Sequence, residues 1–137
     1  MPSAPASAAT DIRSALSLEK IDENLFRSKS LWTPPGARGV YGGQIIGQAL
    51  IAAHATVDYH TKSVHSLHSY FLLAGDSSLP AIYHVERVRD GKSFSTRNVQ
   101  VKQRGRAIFS CLVSFHRDET SPLSHQFAMP QASGVPP

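Results

Sequence analysis

From residue 106 to 116, RAIFSCLVSFH, apolar and polar positions alternate. Ala107, Phe109, Cys111, Val113 and Phe115 share one parity, and Ile108, Ser110, Leu112, Ser114 and His116 the other. A period of two is that of a strand with one face in a core. Upstream, VHSLHSYFLLAG (64–75), PAIYHVERVRD (80–90) and SFSTRNVQVKQ (93–103) read as strands too. Asp90-Gly91 and Gly105 stand at the two later breaks and favour tight hairpin turns. The last three strands therefore form an antiparallel meander, and a fourth precedes them.

Ahead of residue 60 the period changes. Ile46, Leu50, Ala53 and Val57 recur at the spacing of one helix face, and Ile45 and Ala49 widen it. This predicts a helix over about 43–57. Gly47, Ala49, Ala52, Ala53 and Ala55 are small, so the backbone lies close to what it packs on, and the helix is mostly buried. TPPGARGV (33–40) is a loop, because Pro34-Pro35-Gly36 allow little else. In LEKIDENLFRSK (18–29) the apolar points are Leu18, Ile21, Leu25 and Phe26. They suit a short helix or an edge strand, with strand preferred for the later part. The order is β, long buried helix, then four antiparallel strands, an α+β class. Strands of about ten residues span roughly 30 Å. A sheet curled around one helix leaves an edge or face uncovered, which calls for a second copy or a second domain on the same chain.

The chain has 137 residues, enough for one core. We expect a domain over 18–118, a flexible tail over 1–17, and a tail or truncated linker over 119–137. Apolar residues make up 41%, yet no run nears the roughly 18 that a membrane span needs. The start, MPSAPASAATDIRSA, lacks the basic and apolar regions of a secretory signal. The end, MPQASGVPP, carries no peroxisomal tripeptide of the Ser-Lys-Leu type. A single cysteine cannot form an internal bridge, which fits a reduced compartment. The net charge of +4 suits polyanionic partners in general: nucleic acid, anionic lipid or a phosphorylated cofactor. The basic residues are scattered and the strands lack an aromatic platform, so nucleic acid is not favoured.

The chemistry-bearing residues admit more than one reading. Gly42, Gly43 and Gln44 open the helix. Unpaired N–H groups and a positive dipole end sit at such a corner, and glycine lets a ligand approach the backbone. A carbonyl gaining negative charge, or a phosphate, fits there; so does a purely structural role in helix–sheet packing. His65 and His68, three apart on a strand, point to opposite faces and cannot clamp one metal. His65 is the weak candidate for a catalytic base; no catalytic residue is certain. Cys111 shares the apolar parity and reads as core. Asp58 falls at the helix C-terminal end, where an anion is disfavoured, and reads as solvated surface. Ser66, Ser69 and Ser110 have no base in view.

VYGGQIIGQAL, VHSLHSYFL, RDGKSFSTRNV and IFSCLVSF, in that order, resemble the N-terminal half of type II acyl-CoA thioesterases, whose bacterial and peroxisomal long-chain forms are double-hotdog enzymes. The likeness covers about residues 18 to 130. It implies a hotdog fold, a curved antiparallel sheet wrapped around one long helix. It implies a fatty acyl-CoA substrate, hydrolysed to free acid and coenzyme A without metal or organic cofactor. It implies a second hotdog repeat or a homodimer as partner, and a peroxisomal or cytoplasmic location. His65 falls in the family's Val-His-Ser stretch. The hairpin with Arg89, Lys92, Ser93, Phe94, Ser95 and Arg97 would border the thioester cleft, its cations near coenzyme A phosphates. The alternative is a solvated turn. The family's catalytic Asp, Ser or Thr, and Gln lie in the second repeat, and none maps onto this chain. A catalytically inactive half, supplying only fold, dimer interface and acyl-CoA binding wall, is therefore the alternative function. A hotdog dehydratase is the lesser rival, since Asp58-Tyr59-His60 lies past the helix end.

Overall fold

A computed structural model describes residues 11–131 and Gly134. A single helical turn, α1 (Ile12–Ala15), leads into the hairpin β1 (Leu18–Asp22) and β2 (Leu25–Ser28). The long helix α2 (Gly42–His54) follows. Four strands complete the chain: β3 (Lys62–Phe71), β4 (Ile82–Asp90), β5 (Phe94–Gln103) and β6 (Arg106–Arg117). All six strands form one antiparallel sheet in the order β1-β2-β4-β5-β6-β3. The meander of β4, β5 and β6 stands as the alternation predicts. Residues 18–29 form two paired strands rather than one short element.

The sheet curls around α2, which packs on β4, β5 and β6. The core lies between them, from Phe26, Tyr83, Val85, Val99, Val101, Phe109, Val113 and Phe115 of the sheet to Ile45, Ala49, Ala52 and Ala53 of the helix. Alanine is what lets a helix approach a sheet closely on its whole inner side. The buried face of α2 is turned from the expected one. Gln44 and Gln48 join Ile45, Ala49, Ala52 and Ala53 inside, whereas Ile46 and Leu50 are half-buried. Apolar spacing misses this because the two amides, which look like surface, are fully hydrogen-bonded within the core.

The turn between β5 and β6 places Arg104 at φ 49° and Gly105 at φ 72°. Two successive left-handed residues make the turn that matches strand twist. Gly105 suits it, and Arg104 adopts it at a local cost.

Of the segment expected as a flexible tail, residues 1–10 fall outside the described ones. In residues 11–17, the turn α1 stands largely exposed, and only Ala15, Leu16 and Ser17 are half-buried. The Asp11 carboxylate accepts from the Arg13 amide and caps α1. Leu16 then lies so close over Gly47 that a Cβ there would stand 2.7 Å from its Cδ2. Residues 119–131 contain no helix or strand, and expose Leu123, Phe127 and Met129.

Candidate functional site

The start of α2 is an uncapped corner. Tyr41 is its N-cap residue and gives no side-chain hydrogen bond. The first amides to find a helical acceptor are those of Gln44 and Ile45, which donate to the Tyr41 carbonyl at 3.0 and 3.4 Å. The Gly42 and Gly43 amides come before them and remain for other acceptors. Two rings cover these glycines. A Cβ on Gly43 would lie 2.5 Å from the Tyr41 ring, and one on Gly42 would lie 3.0 Å from the Phe71 ring. The glycines thus admit close contact, and the rings making it belong to this chain. Both rings are more than half exposed, Tyr41 at 54% and Phe71 at 58%.

The Gln44 amide is committed within the chain. Its Nε2 donates to the Ala15 carbonyl at 2.8 Å and the Ser30 carbonyl at 3.2 Å, and its Oε1 accepts from the Trp32 amide at 2.9 Å. One turn on, Gln48 donates to the same two carbonyls, at 2.9 and 3.2 Å, and accepts from the Tyr83 hydroxyl at 2.5 Å. Burial raises the Tyr83 pKa and keeps this phenol a donor. The two amides hold α1 and the strand-to-loop segment 30–32 against the helix. Gln44 therefore acts on the corner by placing its surroundings.

Two cavities flank this corner. One, of about 550 Å³, lies between the loop 37–40, Gly42, Ile45 and the run Phe71–Gly75, with Arg38 on its wall. The other, of about 640 Å³, is lined by α1, residues 30–32, Tyr41, Gly43 and Gln44. Neither lining contains a carboxylate or a histidine. Sequence reasoning passed over Trp32, Tyr41, Arg38 and Leu16. The available signal was the pair of aromatic residues bracketing the Pro-Pro-Gly loop.

The hairpin residues grouped with Gly42, Gly43 and Gln44 lie at the other end of the helix. Thirteen residues of α2 separate the two groups, about 20 Å at the helical rise. Arg97, expected to meet phosphates, is 1% exposed. Its Nε donates to Thr56 Oγ1 at 2.7 Å and its Nη2 to the Thr56 carbonyl at 3.0 Å. Its remaining bonds go to the carbonyls of Arg89 and Thr96 and to Asp90 Oδ1 at 2.7 Å. Its parity on β5 turns it inward, so the guanidinium locks the helix end to the hairpin and has no donor left for a phosphate. Ser95 is 1% exposed, and its Oγ accepts from Lys62 Nζ at 2.8 Å. Ser93 gives its carbonyl to the Arg117 amide at 2.9 Å. Lys92 is exposed, and Phe94 lies 4.4 Å from the His116 ring.

His65 stands where the β3–β6 register shifts, between Val64 and Ser66. Its ring is 5.8 Å from Phe94 and 5.6 Å from His116, beside the hairpin and away from the helix start. Among the described residues no three metal-ligating side chains converge. Cys111 is buried, and burial pushes its thiol up to about 11. Asp58 is exposed and accepts from the His60 amide and Thr61 Oγ1.

The family model of the acyl-CoA thioesterase N-terminal domain matches residues 29–116. The chain belongs to that family, and its fold is the hotdog. It is 52% identical to acyl-coenzyme A thioesterase 8 of Mus musculus over 128 residues, 92% of this chain and 38% of that one. It is 31% identical to the peroxisomal acyl-coenzyme A thioester hydrolase 1 of Saccharomyces cerevisiae, over 98% of this chain and 40% of that one. Among solved structures it is similar to the acyl-CoA thioesterase II TesB2 of Mycobacterium marinum, with 41% identity, a TM-score of 0.75, and coverage of 92% of this chain and 45% of that chain. A conserved hot dog fold protein from Alicyclobacillus acidocaldarius gives a TM-score of 0.72 at 20% identity, a likeness of fold alone. The chain spans about two fifths of the length of these curated relatives.

Proposed function

We propose that this chain is the N-terminal repeat of an enzyme that hydrolyses fatty acyl-CoA to free acid and coenzyme A. The observation that carries the reading is the uncapped start of α2, two glycine amides set between two cavities. A thioester carbonyl placed there meets donors aimed at the oxygen that gains charge. Water adds to the carbonyl carbon, the C–S bond breaks, and the coenzyme A sulfur leaves as thiol after taking a proton. The reading includes no metal or organic cofactor, and coenzyme A enters as part of the substrate.

One observation favours a narrower second reading. Among the described residues, neither cavity wall carries a carboxylate or a histidine that could serve as a base near the carbonyl. This half then supplies the binding wall, and the base comes from a second repeat or a partner. Strand β3 is a sheet edge and carries exposed Val64, Tyr70 and Phe71, and Ile51 is exposed on the helix. A second hotdog unit covering them accounts for this surface. The yeast relative's name favours a peroxisomal location, and no described helix is long and apolar enough to cross a membrane.

The test is thiol release from a long-chain acyl-CoA by the purified 137-residue chain. The expected outcome is release at the uncatalysed rate, with turnover restored when a second repeat is joined to it. Turnover by the chain alone would replace the narrower reading with a self-sufficient homodimer.

A further inference from the structure

The two cavities beside the α2 start differ in chemistry. The smaller has Arg38 on its wall. The larger, about 640 Å³, has no charged side chain in its lining. Its walls include Ile12, Leu16, Leu31, Trp32 and Tyr41, and of its polar members, Ser30 and Gln44, the latter has its amide committed to the backbone. Trp32 and Tyr41 meet edge to face, with centroids 6.0 Å apart. A volume of this size is in the range of small-molecule sites, and the lining suits an apolar ligand. The wall is fixed rather than loose, because both buried glutamines hold the Ala15 and Ser30 carbonyls. Leu16 lines the cavity and also packs over Gly47, while Ile12, 70% exposed, and the half-exposed Trp32 and Tyr41 stand at the outside.

We infer that this cavity holds the alkyl tail of the acyl ligand, leaving the Arg38 side for the phosphorylated end, and that Ile12 and Leu16 limit tail length. The inference deepens the acyl-CoA reading and rests on it. It places the thioester between the cavities, at the Gly42 and Gly43 amides. It also gives α1 a role, as a wall of the tail pocket.

Trp32 is the one tryptophan of the chain, so its emission reports on this cavity alone. The full 137-residue chain is titrated with S-dodecyl-CoA (a thioether that cannot be hydrolysed), with dodecanoate below its micelle concentration, and with coenzyme A. Heat of binding is measured in parallel. The first two probes are expected to give a saturable blue shift of Trp32 emission, and coenzyme A none. Ile12→Arg, at an exposed position, is expected to weaken dodecanoate at least tenfold, whereas Val88→Arg, exposed on β4 and in neither cavity, leaves it unchanged. Leu16→Ala is expected to move the preference toward longer alkyl chains. If S-dodecyl-CoA binds calorimetrically while Trp32 emission and Ile12→Arg are both without effect, the tail lies elsewhere and the acyl-CoA reading stands. If dodecanoate shifts Trp32 but S-dodecyl-CoA binds no tighter than dodecanoate, the apolar pocket stands and the acyl-CoA reading falls. Absence of binding by both alkyl probes overturns both.

Discussion

At the scale of the residue, Arg97 carries the plainest lesson. A cation beside a glycine turn in a basic chain invites a phosphate, yet its position on β5 turns it inward. There it joins the helix end, β4 and the hairpin through five hydrogen bonds. Such a buried fork cannot be replaced by a point charge. Arg97→Lys is expected to lower stability by about 2–3 kcal/mol in urea unfolding, because buried carbonyls lose their donors. Its exposed partner Asp90 adds a pH dependence. Burial alone would raise that carboxyl, but hydrogen bonds from Arg97 and Ser95 and the charges of Arg97 and Lys62 outweigh it and hold the pKa low. A carboxylate depressed in the folded state stabilises above its unfolded pKa, about 4, and that contribution fades as pH falls through the folded value. Unfolding midpoints measured across the acid range are therefore expected to fall less steeply in Asp90→Asn than in the parent chain. Parallel acid limbs would remove Asp90 from the account.

At the scale of the element, the strands and their order were legible because their chemistry is local. Alternation in 106–116 and turn residues at 90–91 and 105 are enough to define a meander. The rotation of α2 was not legible. Gln44 and Gln48 are polar letters on a buried face, and only the chain's return past Ala15 and Ser30 gives them partners 14 to 33 residues distant. The same non-local contacts drew α1 out of a segment that reads as tail. They also hid the cavity, whose walls come from three separate stretches. Gln48 and Tyr83 give this network a measurable signature. Gln48→Leu strands the Tyr83 hydroxyl in the core and is expected to cost about 2–3 kcal/mol. Tyr83→Phe placed on top of it is expected to recover part of that loss rather than add to it, since the stranded donor is gone. The coupling energy of a double-mutant cycle from thermal or urea melts measures this. Strict additivity would show that the hydroxyl and the amide do not depend on each other.

At the scale of the whole molecule, one sheet and one helix leave two kinds of surface unfinished. The Arg104-Gly105 turn closes the β5–β6 end of the meander, and β1 ends the sheet in a short, charged strand, Leu18–Asp22, that suits an outer edge. Strand β3 is ten residues long, forms the opposite edge, and carries exposed Val64, Tyr70 and Phe71, with Ile51 exposed on the helix. Among the described residues, its backbone donors and acceptors on that side have no strand neighbour. A long edge with apolar residues on it is a site for pairing, and this chain spans about two fifths of the length of its curated relatives. The 137-residue chain is therefore expected to self-associate through β3, sedimenting as a dimer at micromolar concentration. Val64→Lys together with Ile51→Lys places charge on that surface at two exposed positions. The pair is expected to shift the sedimentation to that of a monomer and to change the unfolding free energy of the monomer by no more than about 0.5 kcal/mol each, as is usual for exposed sites. A dimer that survives both lysines would place the contact away from β3. A chain that is monomeric before any substitution would leave its edge for a covalently joined second repeat, and the binding wall would then be half of a site that closes only in the longer protein.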